Sequence, residues 1–180
     1  MPSLKEIRNR ITSVKKTQKT TSAMKMVSAA KLNRAEDTIR RARPYAAKLR
    51  TVVSSLSGKL TPDDSPLFRD QDGKRVAVVL MTSDRGLCGG FNANLCKLLV
   101  RTLHEEGVDS AEMHIVGRKG RDFFRRTNHQ IAADYPDARP EQHLDIVFTV
   151  LDGLTARFAA EELDRVYLVF NEYKSILTQE

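Results

Sequence analysis

Apolar residues recur at alternating intervals of three and four along the first third of the chain, the spacing of a helix that buries one narrow stripe. With heptad position a placed at Leu4, the frame holds without a slip to Leu56, and twelve of its sixteen a and d positions are apolar. These positions form the seam: Leu4, Ile7, Ile11, Val14, Gln18, Thr21, Lys25, Ser28, Leu32, Ala35, Ile39, Ala42, Ala46, Leu49, Val53 and Leu56.

The two ends of this pattern carry helix signals. Ser3 is a good N-cap, and Glu6 follows three residues later, as in a capping box. Gly58 follows the pattern and leads into turn residues. Pro44 falls at position f, away from the seam, so it weakens the helix without disturbing the register. We predict one continuous helix over residues 3–57.

A helix of this length cannot be covered by the rest of the chain. Its residues span roughly 80 Å at ~1.5 Å each, whereas a compact domain made of all later residues is about 35 Å across. A heptad repeat held over eight heptads also implies left-handed supercoiling against another helix, and no second heptad segment follows. We expect the helix to project beyond the domain and to need a partner helix.

The middle of the seam differs from its ends, because Gln18, Thr21, Lys25 and Ser28 are consecutive polar positions. Small residues and methionines surround them on all sides of the helix: Ala23, Met24, Met26, Val27, Ala29 and Ala30. Such side chains fit several environments without locking into one. We therefore predict that this part of the helix is inserted into a cavity of a partner.

After residue 73 the pattern alternates between strands and helices. Strands are predicted at 75–82, 112–117, 130–135 and 165–171, and helices at 92–106, 118–127 and 140–163. The core faces are predicted to be Leu95, Leu98, Leu99, Thr102 and Leu103 in the first helix, and Leu144, Val147, Phe148, Leu151, Leu154 and Phe158 in the last. Alternation of this kind favours a mostly parallel sheet of Rossmann-like layout.

The fold class is therefore α/β, with a long N-terminal coiled-coil helix followed by a Rossmann-like domain. The domain limits that we expect are 1–58 for the helix, 59–73 for a linker and 74–180 for the α/β domain. No apolar run approaches the ~20 residues that a transmembrane helix needs, so we expect a soluble chain. Cys88 and Cys96 are the only cysteines, and reduced thiols are expected.

Charge is divided unevenly between these parts. The net charge is +7, yet residues 1–57 hold fourteen Lys or Arg against three acids, and the remaining residues hold sixteen against twenty. The helix is thus +11 and the remainder −4. An acidic partner would meet the helix.

A glycine-rich turn, SDRGLCGGFN at residues 83–92, follows the first strand, where many proteins bind phosphate. Its glycines, Gly86, Gly89 and Gly90, fit neither the dinucleotide motif nor the Walker loop. Asp84 adds negative charge, with Arg85 available to pair with it. Glycines 89 and 90 allow left-handed backbone or close approach of another helix, and Asn92 is a good N-cap. We predict a turn built for packing.

No catalytic arrangement, cofactor motif or metal-ligand spacing is found elsewhere in the sequence, so we expect none of the three. The leading hypothesis is a subunit that acts through a partner protein, and two alternative functions remain open. A nucleic-acid-binding module would show steeply salt-dependent DNA binding, although the basic helix lacks interleaved aromatics. A Rossmann-type enzyme would bind ATP or NAD, which the missing phosphate motif disfavours.

Three stretches together resemble one family, the γ subunit of the rotary (F-type) proton-translocating ATP synthase. They are KEIRNRITSVKKTQKTTSAMKMVSAAKLNRA with RPYA in the helix, SDRGLCGGFN in the turn, and GRKGRDFF in the domain. The resemblance covers the whole chain. It also implies a C-terminal helix and further strand residues that we expect this chain to lack.

The resemblance implies a non-catalytic rotor. Its helix would stand inside a hexamer of α and β subunits, where Met24, Lys25, Lys31 and Arg34 would meet acidic loops of β. Its α/β domain would form a foot that touches the ε subunit and the c-ring. The implied location is the cytoplasmic face of the bacterial plasma membrane, with membrane contact only through the complex, no cofactor and no nucleic acid.

Overall fold

The computed structural model describes residues 3–69 and 73–175. The chain divides into two compact units, Met1–Lys59 and Leu60–Glu180. Along the described residues, no helix combines the length and the apolar character that crossing a bilayer requires.

The first unit is a single helix, α1, from Leu4 to Ser57. Its start confirms the predicted capping box: Ser3 Oγ accepts from the Glu6 N–H at 3.3 Å, and the Glu6 carboxylate accepts from the Ser3 N–H at 2.8 Å. Pro44 lies inside the helix without ending it. The predicted continuous helix is therefore confirmed.

The second unit contains one four-stranded sheet with all strands parallel, in the order β3-β2-β1-β4. The strands are β1 (Val76–Met81), β2 (Glu112–Val116), β3 (Gln130–Tyr135) and β4 (Arg165–Val169). The helices are α2 (Phe91–Glu105), α3 (Arg118–Phe124) and α4 (His143–Ala159), the last preceded by a 3₁₀ turn at Pro140–Gln142. The prediction of an α/β domain with a parallel sheet is confirmed.

The segment predicted to be a linker is partly structured. Pro66–Phe68 form a short 3₁₀ helix, which Ser65 caps through its hydroxyl and which packs against α4. Residues from Leu60 onward therefore belong to the second unit.

The sheet is covered on both faces, but unequally. One face carries the larger core, in which β1 and β2 pack against α2 and α3: Val76, Val78, Leu80, Leu95, Cys96, Leu99, Leu103, Met113, Ile115 and Phe124. The other face carries a small cluster of Ala77, Val150, Leu154 and Leu163 beneath α4. Helix α4 is thus attached to the sheet by few buried side chains.

The predicted core face of α2 is confirmed at Leu95, Leu99 and Leu103, which are buried. It is wrong at Leu98, which is exposed, whereas Cys96 is buried. Adjacent residues lie about 100° apart around a helix, so Leu98 turns away from the side that Leu99 presents to the sheet.

The predicted core face of α4 is mostly wrong. Leu154 is buried as predicted, but four other members of the set are exposed. They are Leu144, Val147, Phe148 and Leu151, which we call the α4 apolar stripe. Val150, which the prediction did not include, is buried as well. Apolar residues occupy several sides of this helix, and the sheet covers only the side that carries Val150 and Leu154.

Candidate functional site

Helix α1 carries no buried residue along its described length. Its exposed large apolar residues lie mainly near its two ends and in the methionine-containing middle: Leu4, Ile7, Ile11, Val14, Met24, Met26, Val27, Tyr45, Leu49, Val52, Val53 and Leu56. Soluble monomers rarely leave so much apolar surface uncovered. The helix therefore exposes an unusual amount of apolar surface.

The polar middle of the seam satisfies part of its own hydrogen bonding. The Thr21 hydroxyl donates to the Thr17 carbonyl at 2.9 Å, and the Thr20 hydroxyl donates to the Lys16 carbonyl at 3.1 Å. A shallow trough on this side of the helix is lined by Ser13, Val14, Thr17, Gln18, Thr21, Ser22 and Lys25. The hydroxyls of Thr20 and Thr21 already have acceptors within the helix, so they need none from a partner. They therefore do not require a partner to place polar groups at fixed positions along the helix.

The four residues proposed to contact a partner do not form one patch. Lys25 and Arg34 are nine residues apart, which places them on opposite sides of a helix with ~3.6 residues per turn. Lys31 shares a side with Arg34, and Met24 is exposed next to Lys25. The three cations therefore lie on two opposite sides of the helix, with Lys25 on one side and Lys31 and Arg34 on the other.

None of these three cations has a carboxylate partner within the described residues. The nearby acid Asp37 instead pairs with Arg40 and Arg41, at 3.4 and 3.7 Å. Lys25, Lys31 and Arg34 are exposed. Their positive charge remains available to an acidic surface.

The turn after β1 is closed by its own hydrogen bonds. The Ser83 N–H donates to Asn92 Oδ1 at 2.9 Å, and Asn92 Nδ2 donates to Ser83 Oγ at 2.8 Å. The Ser83 hydroxyl donates in turn to the Arg85 carbonyl at 2.6 Å. Asn92 therefore joins the first residues of the turn to α2. It is not the N-cap that we predicted, because Gly90 is the N-cap and the helix begins at Phe91.

Asp84 connects this turn to two distant segments. Its Oδ1 accepts from the backbone N–H of Arg118 at 2.9 Å and from that of Asp137 at 2.8 Å. Its partners are thus the start of α3 and the loop after β3, rather than Arg85. A carboxylate that uses two backbone donors leaves them unavailable to a bound anion. Asp84 thus has a structural role, because it ties the turn to the start of α3 and to the loop after β3.

The glycines of the turn differ in what they do. Gly89 has a φ of +57°, so the predicted left-handed backbone is confirmed there. No other helix approaches, since a Cβ at Gly89 would meet nothing within 4 Å, and one at Gly90 would meet only the Asn94 side chain. A Cβ at Gly86 would make ordinary contact with Lys119.

The close approach lies elsewhere, at Gly117 and Gly120. A Cβ at Gly117 would lie 2.2 Å from the Thr82 carbonyl oxygen, and the Gly120 N–H donates to Thr82 Oγ1 at 2.8 Å. Sequence reasoning missed this contact, although the stretch GRKG following β2 was the available signal.

Removing the Asp84 carboxylate is expected to loosen the second unit. Asp84→Ala leaves two backbone donors without their acceptor, so the free energy of unfolding should fall by about 2–3 kcal/mol. Asp84→Asn keeps an oxygen in the Oδ1 position and should lose only about 1 kcal/mol. Urea unfolding followed by circular dichroism would measure both. Equal stability of Asp84→Ala and the wild type would contradict this role.

Comparison with known proteins agrees with the geometry. A family model described as ATP synthase matches residues 3–180. The ATP synthase gamma chain of Chlorobium luteolum is 47% identical over 192 aligned residues, which cover 98% of this chain and 63% of that protein. That of Geotalea uraniireducens is 43% identical and covers 100% of this chain and 63% of its own length. The chain therefore spans less than two thirds of these curated relatives.

A solved structure gives the same fold. A chain in the structure of the Tetrahymena thermophila mitochondrial ATP synthase central stalk and c-ring superposes with a TM-score of 0.64 at 20% identity. The match covers 89% of this chain and 69% of that one. At this identity the likeness supports the fold alone.

Proposed function

This chain belongs to the family of ATP synthase gamma chains, and from that premise we propose that it is a non-catalytic rotor subunit of the central stalk. It transmits torque between the c-ring in the membrane and a hexamer of α and β subunits, during ATP synthesis or hydrolysis. The catalytic sites lie on those other subunits. The observation that carries this proposal is the 54-residue helix α1, which has no buried residue.

An uncovered helix of this kind needs a partner for its stability. Most helical stability in proteins comes from packing of an apolar face, and burial of apolar surface contributes roughly 25 cal/mol per Å². The seam at the N-terminal end, around Ile7, Ile11 and Val14, is the natural place for another helix to pack. In this proposal that helix and α1 form the shaft, inside the hexamer.

The middle of α1 fits a part that turns inside its partner. Lys25 lies on the side of the helix opposite Lys31 and Arg34, so acidic loops of successive β subunits meet positive charge at different rotational positions. The adaptable side chains of Met24 and Met26 can contact each of these surfaces in turn. Electrostatic attraction of this sort guides and couples without requiring one fixed contact.

The second unit supplies a rigid foot. Its turn at residues 83–92 is fastened by Asp84 and Asn92, which suits an element that transmits force to the ε subunit and the c-ring. In this proposal residues 1–58 form the shaft helix and 74–180 the foot. Residues 59–73 join the two, and from Leu60 onward they pack with the foot. The protein would reside at the cytoplasmic face of the bacterial plasma membrane, as a peripheral component.

Charge reversal on α1 tests the proposal. In the assembled complex, the triple variant Lys25→Glu, Lys31→Glu and Arg34→Glu should reduce ATP-driven rotation and proton pumping at least tenfold, because it repels the acidic loops that these cations attract. Single-molecule rotation and pumping by reconstituted vesicles would measure the effect.

A charge-conserving variant provides the matched control. Lys25→Arg, Lys31→Arg and Arg34→Lys alter the same three side chains without altering charge, and should retain most of the activity. All three positions are exposed, so the thermal unfolding of either variant should resemble that of the wild type. Normal rotation by the charge-reversed complex would refute the proposal.

A further inference from the structure

The α4 apolar stripe is an uncovered surface on the second unit. Leu144, Val147, Phe148 and Leu151 are exposed to 67%, 44%, 60% and 51%. Their spacing of three and four residues places them within an arc of about 100° on a helix. The buried residues Val150 and Leu154 lie to one side of this arc, toward the sheet.

Two carboxylates border the other side of the stripe. Asp145 and Asp152 are seven residues apart, so they lie almost in line, roughly 10 Å apart along the helix axis. Both are exposed, and neither has an ion-pair partner among the residues that the structure describes. We call this pair the acidic rail.

The cation of α4 does not neutralise this rail. Arg157 donates two hydrogen bonds to Glu112, at 2.6 and 2.9 Å, and a third to Glu162 at 3.2 Å. The exposed side of α4 is therefore an apolar stripe with negative charge along one border.

We propose that the α4 apolar stripe and the acidic rail form a docking surface for a basic amphipathic helix of a partner polypeptide. The partner's aliphatic side chains pack on Phe148 and its neighbours, at the 8–10 Å separation of packed helices. Its Lys or Arg side chains, spaced seven residues apart, lie against Asp145 and Asp152. This surface is made of residues of the second unit alone, so it extends the rotor proposal without resting on it.

Charge argues against two other occupants. In an antiparallel pair of α4 helices from two copies, the acidic rails would face each other, and like charges in contact disfavour association. An anionic lipid surface would be repelled by the same carboxylates.

A pair of designed peptides tests the proposal on the full chain. The first is an 18-residue fluorescent helix with leucines on one face and lysines beside them, and the second replaces each lysine with glutamate. The chain as a whole carries +7, so general attraction favours the acidic peptide. We expect the basic peptide to bind through α4. Fluorescence anisotropy at ~0.15 M salt would measure this binding.

Variants locate the binding. The double variant Leu144→Ser, Phe148→Ser should weaken binding of the basic peptide at least tenfold. The double variant Asp145→Lys, Asp152→Lys should weaken it by the same factor. The second variant should also strengthen binding of the acidic peptide at α4. Leu98→Ser, on the exposed side of α2, is the control and should leave binding of the basic peptide unchanged. All these side chains are exposed, and circular dichroism would verify that each variant folds.

Four results would overturn the proposal. Two concern the peptide: the Leu144→Ser, Phe148→Ser variant binds the basic peptide as well as the wild type does, or the Asp145→Lys, Asp152→Lys variant binds it unchanged. The third is a wild-type dimer in sedimentation that Phe148→Ser dissociates. The fourth is binding of the wild type to phosphatidylglycerol vesicles that Phe148→Ser abolishes. None of them affects the rotor proposal, whose test concerns α1 alone.

Discussion

Gly117→Ala is expected to destabilise the second unit by about 3–5 kcal/mol, because the new Cβ has no room and the backbone cannot move to make any. Gly117 has a φ of +99°, where a side chain is strained. Its Cβ would lie 2.2 Å from the Thr82 carbonyl oxygen and 2.7 Å from the carbonyl carbon. A backbone atom cannot turn aside as a flexible side chain can.

The hydrogen bonds around Gly117 explain why the backbone is fixed. Its N–H donates to the Tyr135 carbonyl at 3.1 Å, and the Thr82 N–H donates to the Val116 carbonyl at 2.8 Å. Relief of the clash would therefore break bonds that join the ends of β1, β2 and β3. Urea unfolding followed by circular dichroism at 222 nm would measure the loss, since the helices of the second unit unfold with the sheet.

Gly153→Ala is the matched control. Gly153 lies within α4, and a Cβ there would meet nothing within 4 Å. Alanine is favoured over glycine in a helix by about 0.5–1 kcal/mol, so this variant should be slightly more stable than the wild type. If Gly117→Ala lost no more than about 1 kcal/mol, the close approach to Thr82 would be wrong.

Arg157→Ala is expected to cost about 2–3 kcal/mol and to loosen α4. Arg157 binds the Glu112 carboxylate with two parallel hydrogen bonds, and the Glu112 side chain is only 21% exposed. Loss of Arg157 leaves the mostly buried Glu112 carboxylate with only His114 as a side-chain partner among the described residues. Few apolar residues of α4 are buried, so this ion pair carries an unusual share of the attachment. Urea unfolding, together with amide hydrogen exchange in α4, would measure it.

The same pair predicts a dependence on pH. The Arg157 guanidinium is the main cause that lowers the pKa of Glu112, and the hydrogen bond from His114 lowers it further. Because the folded pKa is below that of an ordinary glutamate, about 4.3, the stabilisation is fully present above that value and is lost as pH falls through the folded pKa.

Glu112→Gln isolates this contribution. As the pH falls below about 4.3, the wild type should lose stability more steeply than the variant. The midpoints of urea unfolding at each pH would measure this difference. At neutral pH the variant should be the less stable of the two, because glutamine cannot pair with Arg157 as an ion. Parallel pH profiles would show that Glu112 does not contribute.

Local signals account for what the sequence predicted well. The start of α1 depends on Ser3 and Glu6, which lie beside the residues they affect, and Gly58 directly follows its last residue. The parallel sheet depends on the order of elements along the chain, and right-handed crossovers leave few alternatives. Both kinds of information are contained in short stretches of sequence.

Contacts between distant residues account for what it missed. Periodicity shows that Leu144, Phe148 and Leu151 share a side of α4, but it does not show which side meets the sheet. The clash at Gly117 depends on Thr82, and the partners of Asp84 lie 34 and 53 residues away. Asn92 was assigned to capping from its type alone, whereas its side chain binds Ser83. Only the family resemblance points to Met24, Lys25, Lys31 and Arg34, and their role stays a prediction.

Asp84 also affects whether an anion can bind to the second unit near the start of α3. A soluble phosphate that sought the N–H groups of Arg118 and Asp137 would compete with a carboxylate tethered beside them, whose effective concentration is in the millimolar range or above. Free nucleotides at micromolar levels would lose that competition. The second unit thus carries its own competitor for any anion that approaches these two N–H groups.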